Sequence, residues 1–273
     1  METPRIERCL PDCWVVGHGL LGSALAKRLR CAGARVLVLD AAADTFPDIV
    51  GDAAEPAVLS EARTRLLPAV VYCCQATGGG DAAAYRRAYA EVVEQLAVQV
   101  PEARIVLCSS CSVYGAAEGA VDESTPAAAS GERARVLLAA EAAVQGRGGA
   151  VARLVPLYGA DRCEVLRRHL VGEPRLPGAE SRMLNYLHVE DAVEALLLLG
   201  AEGATGVYNV CGESLSKAEL YAQLVRATGV AAVRESAGGS VRGVSNRIPD
   251  TARLRALGWR PERRLAEYAE TKR

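Results

Sequence analysis

The hexapeptide GHGLLG, residues 17–22, constrains the fold of this 273-residue chain more than any other feature of its sequence. It directly follows a short apolar run, CWVVG, and it opens an Ala- and Leu-rich segment, residues 20–31, with helical periodicity. A second apolar run, RVLVLD, comes directly afterwards. Strand, glycine turn, helix and strand in this order predict a βαβ unit with two parallel strands.

The alternation of apolar runs and helical segments continues along the first half of the chain. Further strands are expected to end near Asp52, Cys74, Ser110 and Val155, with helices over about residues 55–67, 81–100 and 132–144. Half of the residues are hydrophobic but only 4% are aromatic, which suits helices packed on a parallel sheet better than a β-sandwich. The sequence therefore predicts an α/β fold, a Rossmann-type doubly wound parallel sheet.

The three glycines of GHGLLG have the spacing GxGxxG, which in this context predicts a site for the pyrophosphate of a dinucleotide. The first glycine permits a tight turn, the second lets the backbone approach the phosphates, and the third lets the helix pack closely on the strand. The helix start adds N–H groups and a partial positive charge. The predicted cofactor-binding loop comprises Gly17, His18, Gly19, Leu20, Leu21 and Gly22. The alternative is that these glycines only form a tight turn.

Asp40 ends the second predicted strand, where a carboxylate would accept hydrogen bonds from an adenosine ribose. Three alanines follow it, so no arginine stands there to receive a 2′-phosphate, and NAD is favoured over NADP as the cofactor. Asp52, at the end of the third strand, is expected either to reach the adenine edge or to be a surface acid. Residues 1–155 are thus predicted to form an NAD-binding domain. Residues 156–273 are expected to form a smaller substrate-binding part, of which the segment of about residues 184–200 is expected to return to the Rossmann sheet.

Four later motifs follow in order: CSSCSVYG (108–115), RLVPLYG (153–159), NYLHVEDAVEAL (185–196) and TARLRALGWRP (251–261). Together with the glycine loop they make the sequence similar to the extended short-chain dehydrogenase/reductase superfamily, the group that contains NAD-dependent sugar epimerases and dehydratases. The resemblance implies a Rossmann fold, an NAD cofactor and a small hydroxy or keto substrate. It also implies that Ser110, three residues before the valine of VYG, hydrogen-bonds the substrate oxygen.

The resemblance further implies a general acid/base tyrosine some 25 residues after that serine and, one helical turn later, a lysine that lowers its pKa. Alignment on Glu141 puts Arg133 at the tyrosine position and Leu137 at the lysine position, so both residues are missing. The only lysines of the chain are Lys27, Lys217 and Lys272. The one YxxxK of the chain, Tyr268 to Lys272, follows every predicted sheet element and is interpreted as a coincidence.

Several groups remain as candidates for the missing proton donor: Tyr114, Cys111, Glu132, or a water held by Ser110 and Ser112. The catalytic set is accordingly predicted as Ser110, Tyr114 and Arg133. Arg133 is expected either to bind a substrate anion or developing oxyanion through its fork of donors, or to be a solvated helix residue. Ser112 and Arg182 are predicted substrate contacts, the latter because relatives bind a substrate phosphate in that region.

Cysteine usage and charge limit the remaining possibilities. The nine cysteines favour reduced thiols, and Cys108 and Cys111, although a CxxC, begin at a strand end instead of a helix start, which argues against a redox or zinc site. Basic and acidic residues nearly cancel, 32 against 33, so no nucleic acid partner is expected. The longest apolar runs are far shorter than a membrane span, so no membrane partner is expected either. The chain is predicted to be soluble and cytoplasmic, with a homodimer as one possible assembly.

These observations leave three hypotheses for the function. The first is an NAD-dependent oxidoreductase or epimerase/dehydratase-like enzyme that acts on a small hydroxy or keto metabolite with a non-standard proton donor. The second is a non-catalytic dinucleotide-binding sensor or scaffold of the same fold. The third is an enzyme of other chemistry whose cofactor site no longer binds a dinucleotide.

Overall fold

A parallel sheet forms the centre of the protein. The computed structural model describes residues 11–77, 79–127, 131–201, 203–234 and 246–272. Their strands are β1 (Cys13–Val16), β2 (Val36–Asp40), β3 (Ile49–Val50), β4 (Val70–Cys73), β5 (Arg104–Ser110), β6 (Gly119–Val121), β7 (Ala150–Leu154), β8 (Leu157–Tyr158), β9 (Met183–His188), β10 (Gly206–Val210), β11 (Glu213–Ser216) and β12 (Arg247–Pro249). Seven of these strands lie in one sheet in the order β10-β7-β5-β4-β1-β2-β3, and every neighbouring pair is parallel.

The helices connect these strands and cover the sheet. They are α1 (Leu20–Cys31), α2 (Pro56–Arg65), α3 (Ala82–Tyr85), α4 (Val92–Gln99), α5 (Glu132–Gln145), α6 (Glu164–Leu170), α7 (Val189–Gly200), α8 (Lys217–Thr228), α9 (Ala252–Ala256) and α10 (Leu265–Glu270). Helix α1 contacts α7, whereas α4 contacts α2 and α5. Right-handed crossovers that run in opposite directions from β1 place these two groups on opposite faces of the sheet.

The strands are apolar on both faces because helices cover both faces. Every residue of β1 and of β4 is buried, as expected for central strands of a parallel sheet. Trp14 in β1 is fully buried, and its indole N–H donates to the carbonyl of Leu66 at 2.8 Å. The predicted Rossmann-type α/β fold is confirmed.

The predicted helix over 81–100 contains an irregularity that its sequence did not show. Asp81 caps the helix, because its carboxylate accepts from the backbone N–H of Ala84, and α3 begins at the next residue. Between α3 and α4 the backbone stays helical, but residues Arg86–Glu91 form a π-helix. This segment lies beside the carboxyl end of the sheet and contacts α5.

The C-terminal part has a core of its own and contributes one strand to the main sheet. Strands β8, β9 and β11 form a small sheet that packs with α6, α8 and α10 around a second apolar cluster, and β12 pairs with β6. Of the segment predicted to return to the Rossmann sheet, residues 189–200 form α7, which packs on β4, β5 and β7. The strand that joins the sheet comes afterwards, as β10 beside β7.

Among the described residues, no helix combines the length and apolar character needed to cross a lipid bilayer.

Candidate functional site

A cleft of about 860 Å³ opens at the carboxyl ends of β1, β2, β4, β5 and β7. In open α/β sheets, ligands bind at this edge, where the strand order reverses. Seven of the predicted site residues line the cleft: Gly17, Gly19, Leu20, Leu21, Asp40, Asp52 and Ser110. The structure therefore brings both ends of the predicted cofactor site and the predicted substrate serine into one cavity.

Two glycines of the loop are required by the protein's own backbone. Gly17 has a φ of +94°, and a Cβ there would lie 2.5 Å from the backbone nitrogen of Gln75. A Cβ on Gly22 would lie 1.8 Å from the carbonyl oxygen of Gly17. Gly22 is buried in α1 and does not line the cleft, in agreement with a role in packing helix against strand.

Gly19 has no such internal reason to be glycine. It precedes the first residue of α1 with φ −73° and ψ −161°, a conformation open to any residue, and a Cβ there would meet no protein atom within 4 Å. The space that a side chain would fill belongs to the cleft. A glycine at this point leaves the backbone N–H groups at the start of α1 open to a phosphate group, so the loop fits a bound dinucleotide.

The Asp40 carboxylate is fixed at the end of β2 by two backbone donors. It accepts from the N–H of His18 and, at 2.7 Å, from the N–H of Ala42. The Nδ1 atom of the His18 ring lies 2.6 Å from the carbonyl oxygen of Thr45, so His18 links the glycine loop to the segment after β2. His18 is not among the residues that line the cleft. Asp40 is only half-buried and lines the cleft, where its remaining lone pairs can accept hydroxyl groups.

Asp52 forms an ion pair with Arg87, a residue that sequence analysis did not predict to be part of the site. The Arg87 Nε donates to the Asp52 carboxylate at 2.5 Å, and the same guanidinium pairs with Glu55 and Glu91. Arg87 and Asp52 both line the cleft near Asp40. Arg87 thus already pairs with three carboxylates, and the Glu55 and Asp52 carboxylates raise its pKa.

Ser110 stands at the end of β5, directly above a buried ionic network. Its hydroxyl oxygen accepts from the backbone N–H of Ser112 at 3.1 Å. The neighbouring Ser109 donates to the Glu141 carboxylate at 2.5 Å, and Arg153 donates to the same carboxylate through Nε and, at 2.6 Å, Nη2. Burial alone would lower the pKa of Arg153, but the Glu141 carboxylate outweighs it and raises that pKa. Ser112 is exposed and does not line the cleft.

Two of the predicted proton donors are buried away from the cleft. Tyr114 has no exposed surface; its hydroxyl donates to the Asn209 side-chain oxygen at 2.8 Å, and its ring packs under the guanidinium of Arg153. Cys111 is also buried, and burial raises the pKa of its thiol to about 12. Neither side chain lines the cleft, so the structure does not put either in reach of a substrate there.

Helix α5, on which the resemblance places the acid/base tyrosine and its lysine, has other residues at these two positions. Arg133 is exposed in the first turn of α5 and lies over the ring of Tyr85, 5.5 Å from its centroid, outside the cleft lining. Leu137, one turn later, is 3% exposed and belongs to the main hydrophobic core. Glu132 is exposed at the start of the same helix. The two positions thus hold a surface stack and a core residue.

Arg182 and the YxxxK pair both lie outside the cleft lining. Arg182 donates to the carbonyl of Pro177 at 2.7 Å, within the C-terminal part. Tyr268 stacks edge-on against Tyr158, and Lys272 pairs with Asp161.

The cysteines of the described residues are all free thiols. Cys74 and Cys108 line the cleft with their sulfur atoms 3.8 Å apart, and this contact together with burial raises the pKa of Cys74. Within the described part of the chain, no three His, Cys, Asp or Glu side chains are grouped to hold a metal ion.

Sequence analysis missed several residues that line the cleft, above all Arg87, Tyr89 and Arg162. Arg162 follows the turn after β8 and is exposed, and no described side chain pairs with its guanidinium. Tyr89 lies in the π-helix Arg86–Glu91. The sequence offered one sign of Tyr89, which is a large polar aromatic residue on a helix next to the sheet edge. The π-helix that contains Tyr89 could not be predicted from the sequence.

Comparison with known proteins gives consistent results. The family model described as "NAD dependent epimerase/dehydratase family" matches residues 13–211. Protein YeeZ of Escherichia coli strain K12 is 30% identical over 240 residues, which cover 79% of this chain and 83% of the relative.

Solved structures share the fold over nearly the full length. MoeE5, in complex with UDP-glucose and NAD, superposes with a TM-score of 0.81 at 25% identity and covers 95% of this chain and 96% of its own. The UDP-glucose 4-epimerase of Thermotoga maritima, with UDP-glucose, gives a TM-score of 0.80 at 18% identity, with coverage of 95% and 96%. The chain belongs to the NAD-dependent epimerase/dehydratase family, within the extended short-chain dehydrogenases/reductases.

Proposed function

We propose that this protein is an NAD-dependent oxidoreductase of the epimerase/dehydratase type that acts on a hydroxy or keto group of a small metabolite. The observation that carries the proposal is the shared cleft, in which the glycine loop, the Asp40 carboxylate and the Ser110 hydroxyl lie together at one end of the sheet. Membership of the NAD-dependent epimerase/dehydratase family supports NAD-dependent chemistry in this cleft.

The residues of the cleft fit NAD as the cofactor. The backbone from Gly17 to Leu21 would hold the pyrophosphate, and Asp40 would accept the adenosine ribose hydroxyls. When bound, NAD accepts a hydride from a substrate carbon and returns it. A 2′-phosphate would meet the negative charge of Asp40 with no free arginine beside it, because Arg87 is already neutralised by its three carboxylate partners. NAD is therefore favoured over NADP.

Ser110 is the group best placed to hold the substrate oxygen. Its backbone ends β5 in the cleft, and its hydroxyl, which accepts only the Ser112 N–H, keeps its own proton for donation. Related structures contain UDP-glucose or UDP-glucuronic acid, so a sugar nucleotide is the first substrate class to examine. The exposed Arg162 guanidinium at the cleft wall would attract the phosphates of such a substrate. Substrate roles of Ser112, Arg133 and Arg182 stay predictions.

Cofactor binding is the first test. NADH and NADPH are titrated separately while tryptophan emission and energy transfer to the reduced nicotinamide are followed, with Trp14 on β1 as a reporter near the glycine loop and Trp259 as background. Micromolar binding of NADH that is tighter than that of NADPH is expected. If neither nucleotide binds, the oxidoreductase proposal fails and the third hypothesis, an enzyme of other chemistry, takes its place.

A second candidate function is a non-catalytic NAD sensor. It is favoured by one observation, the surface stack and core residue found at Arg133 and Leu137 where relatives carry proton-transfer groups. Turnover separates the two functions. Reduction of bound NAD by a sugar nucleotide, lost in Ser110→Ala, supports the enzyme, whereas tight NAD binding without turnover across hydroxy and keto compounds supports the sensor.

Two further predictions concern the setting of the protein. A homodimer is tested by light scattering at several protein concentrations, with and without NADH. A cytoplasmic location, predicted from the sequence, is tested by cell fractionation.

A further inference from the structure

One tyrosine does line the cleft, although not the one expected. Tyr89 is 9% exposed and contributes to the cavity wall together with Cys108, Ser109 and Ser110. No described residue forms a hydrogen bond with its hydroxyl, in contrast to Tyr114, whose hydroxyl is bound to Asn209. Tyr89 thus contributes a large polar side chain to the cavity wall, and its hydroxyl has no hydrogen-bond partner among the described residues.

Tyr89 lies within the π-helix. Residues Arg86–Glu91 depart from α-helical spacing at the turn that borders the cleft, and π-helical turns are rare and concentrate at functional sites. Gln75, after β4, donates from its side-chain nitrogen to the carbonyl of Ala88 at 2.6 Å. This bond ties the π-helix to the sheet edge one residue before Tyr89.

Tyr89 lies close to the helix that lacks the expected tyrosine. The ring of Tyr89 contacts the ring of Tyr85, with 5.4 Å between the centroids. The guanidinium of Arg133 lies over the Tyr85 ring. Arg133 holds the position at which relatives would carry the acid/base tyrosine. Side-chain contacts from Arg133 through Tyr85 to Tyr89 therefore connect the position on α5 where a tyrosine is expected with a tyrosine that lines the cleft.

Few other groups in the cleft can exchange a proton. Asp40 and Asp52 are committed to backbone donors and Arg87 at the adenosine end. The thiol of Cys74 is in contact with that of Cys108. Burial, together with Tyr85 and Cys108, raises the pKa of Tyr89, so its hydroxyl is protonated and able to donate at neutral pH.

We propose that Tyr89 is the catalytic proton-transfer residue of this cleft and acts together with Ser110 on the substrate oxygen. In the reducing direction, the Tyr89 hydroxyl would donate its proton to the substrate carbonyl oxygen, while NADH would supply the hydride for the carbonyl carbon. The phenolate then regains a proton from water. In the oxidising direction, Tyr89 would first release its proton to water, which the positive nicotinamide ring of bound NAD would favour, and the phenolate would then take the substrate hydroxyl proton. This inference rests on the proposed function, because it requires NAD in the cleft.

The test compares Tyr89→Phe with Tyr85→Phe, a matched control on the same helical stretch that does not line the cleft. Because the Tyr89 hydroxyl has no partner in the described structure, both variants are expected to unfold within about 2 °C of the parent chain. Both are expected to bind NADH within about twofold of it. A loss of thermal stability specific to Tyr89→Phe would instead indicate a structural role.

The decisive readout is tyrosine ionisation, followed by tyrosinate absorbance against pH with and without saturating NAD. The positive nicotinamide ring of NAD should lower the pKa of a tyrosine that it touches by about one unit or more, and NADH should not. The shift is expected in the parent chain and in Tyr85→Phe and should be absent in Tyr89→Phe. Reduction of bound NAD by UDP-glucose or UDP-glucuronic acid should fall at least about 100-fold in Tyr89→Phe only.

The possible failures are distinguishable. If the parent chain binds no NAD, the proposed function fails and this inference fails with it. If NAD binds but no tyrosine shifts, or the shift persists in Tyr89→Phe, the cofactor site stands and the role of Tyr89 is refuted.

Discussion

The two halves of the cleft obey different requirements. In the half built by β1, α1 and β2, the glycine loop and Asp40 have the geometry that dinucleotide binding needs, and Gly17 and Gly22 are fixed by contacts within the backbone itself. In the half built by β5 and α5, Ser110 lines the cleft, whereas Arg133 and Leu137, which the sequence predicts at the positions of the acid/base pair, lie outside the lining. A cofactor loop depends on local backbone shape, whereas a proton donor only has to reach the substrate and can come from another element.

The buried ionic network of Ser109, Glu141 and Arg153 belongs to the second half, and its loss should have the largest effect. Glu141→Gln leaves the buried Arg153 without its counter-charge and weakens the bond to Ser109, so stability should fall by about 3 kcal/mol. Urea unfolding measures this loss, with Glu132→Gln on the exposed start of α5 as the control. An unfolding free energy within about 0.5 kcal/mol of the parent would contradict the structural importance of this pair.

Gly22→Ala should disturb the fold and the cofactor half together. The new methyl group would collide with the Gly17 carbonyl, and relief of that overlap should cost about 2 kcal/mol and deform the loop. Thermal unfolding and NADH titration are expected to change in parallel. A stable variant that binds NADH normally would show that the loop can move aside.

Gly19→Ala should separate binding from stability. Its methyl group has open space, so the unfolding free energy should fall by less than about 1 kcal/mol, the ordinary effect of alanine in place of glycine at a helix start. NADH affinity should drop at least about tenfold, because the methyl group enters the space left for the pyrophosphate. Gly131→Ala, at the equally open start of α5, controls for the helix effect and should leave NADH affinity unchanged.

Asp40→Asn tests the discrimination between cofactors. The amide keeps one acceptor for the backbone N–H groups but loses the negative charge, so NADH should bind a few-fold more weakly while NADPH binding weakens less or improves. Titration of both nucleotides gives the ratio. An unchanged ratio would mean that Asp40 does not face the adenosine ribose.

The smallest effect is expected for Arg133→Ala in the other half. It removes an exposed stack on Tyr85, which should lower stability by about 0.5 kcal/mol and leave NADH affinity unchanged. Binding of UDP-glucuronic acid and UDP-glucose to the NAD-loaded protein, measured by calorimetry, shows whether Arg133 also contacts an acidic substrate. Equal affinities in variant and parent would remove Arg133 from the substrate site.

The sequence predicted best those features that follow from short-range rules. The GxGxxG spacing, the acid at the end of β2 and the alternation of strands and helices all depend on neighbouring residues, and they led to the confirmed fold and family. The partners of Asp52 and Ser109 come from residues 35 and 32 positions away, so no local pattern reveals them. Tyr89 lies in a π-helical segment, and helical periodicity in the sequence cannot reveal such a segment.

The late arrival of β10 has a consequence for how the chain acquires its structure. Residues Gly206–Val210 complete the sheet beside β7, more than 50 positions after that strand, and Asn209 there binds the Tyr114 hydroxyl. A ribosome must therefore synthesise the chain as far as residue 210 before the seven-stranded sheet can close this edge. A fragment that stops at residue 155 would leave β7 as an open, apolar edge and should aggregate in place of folding.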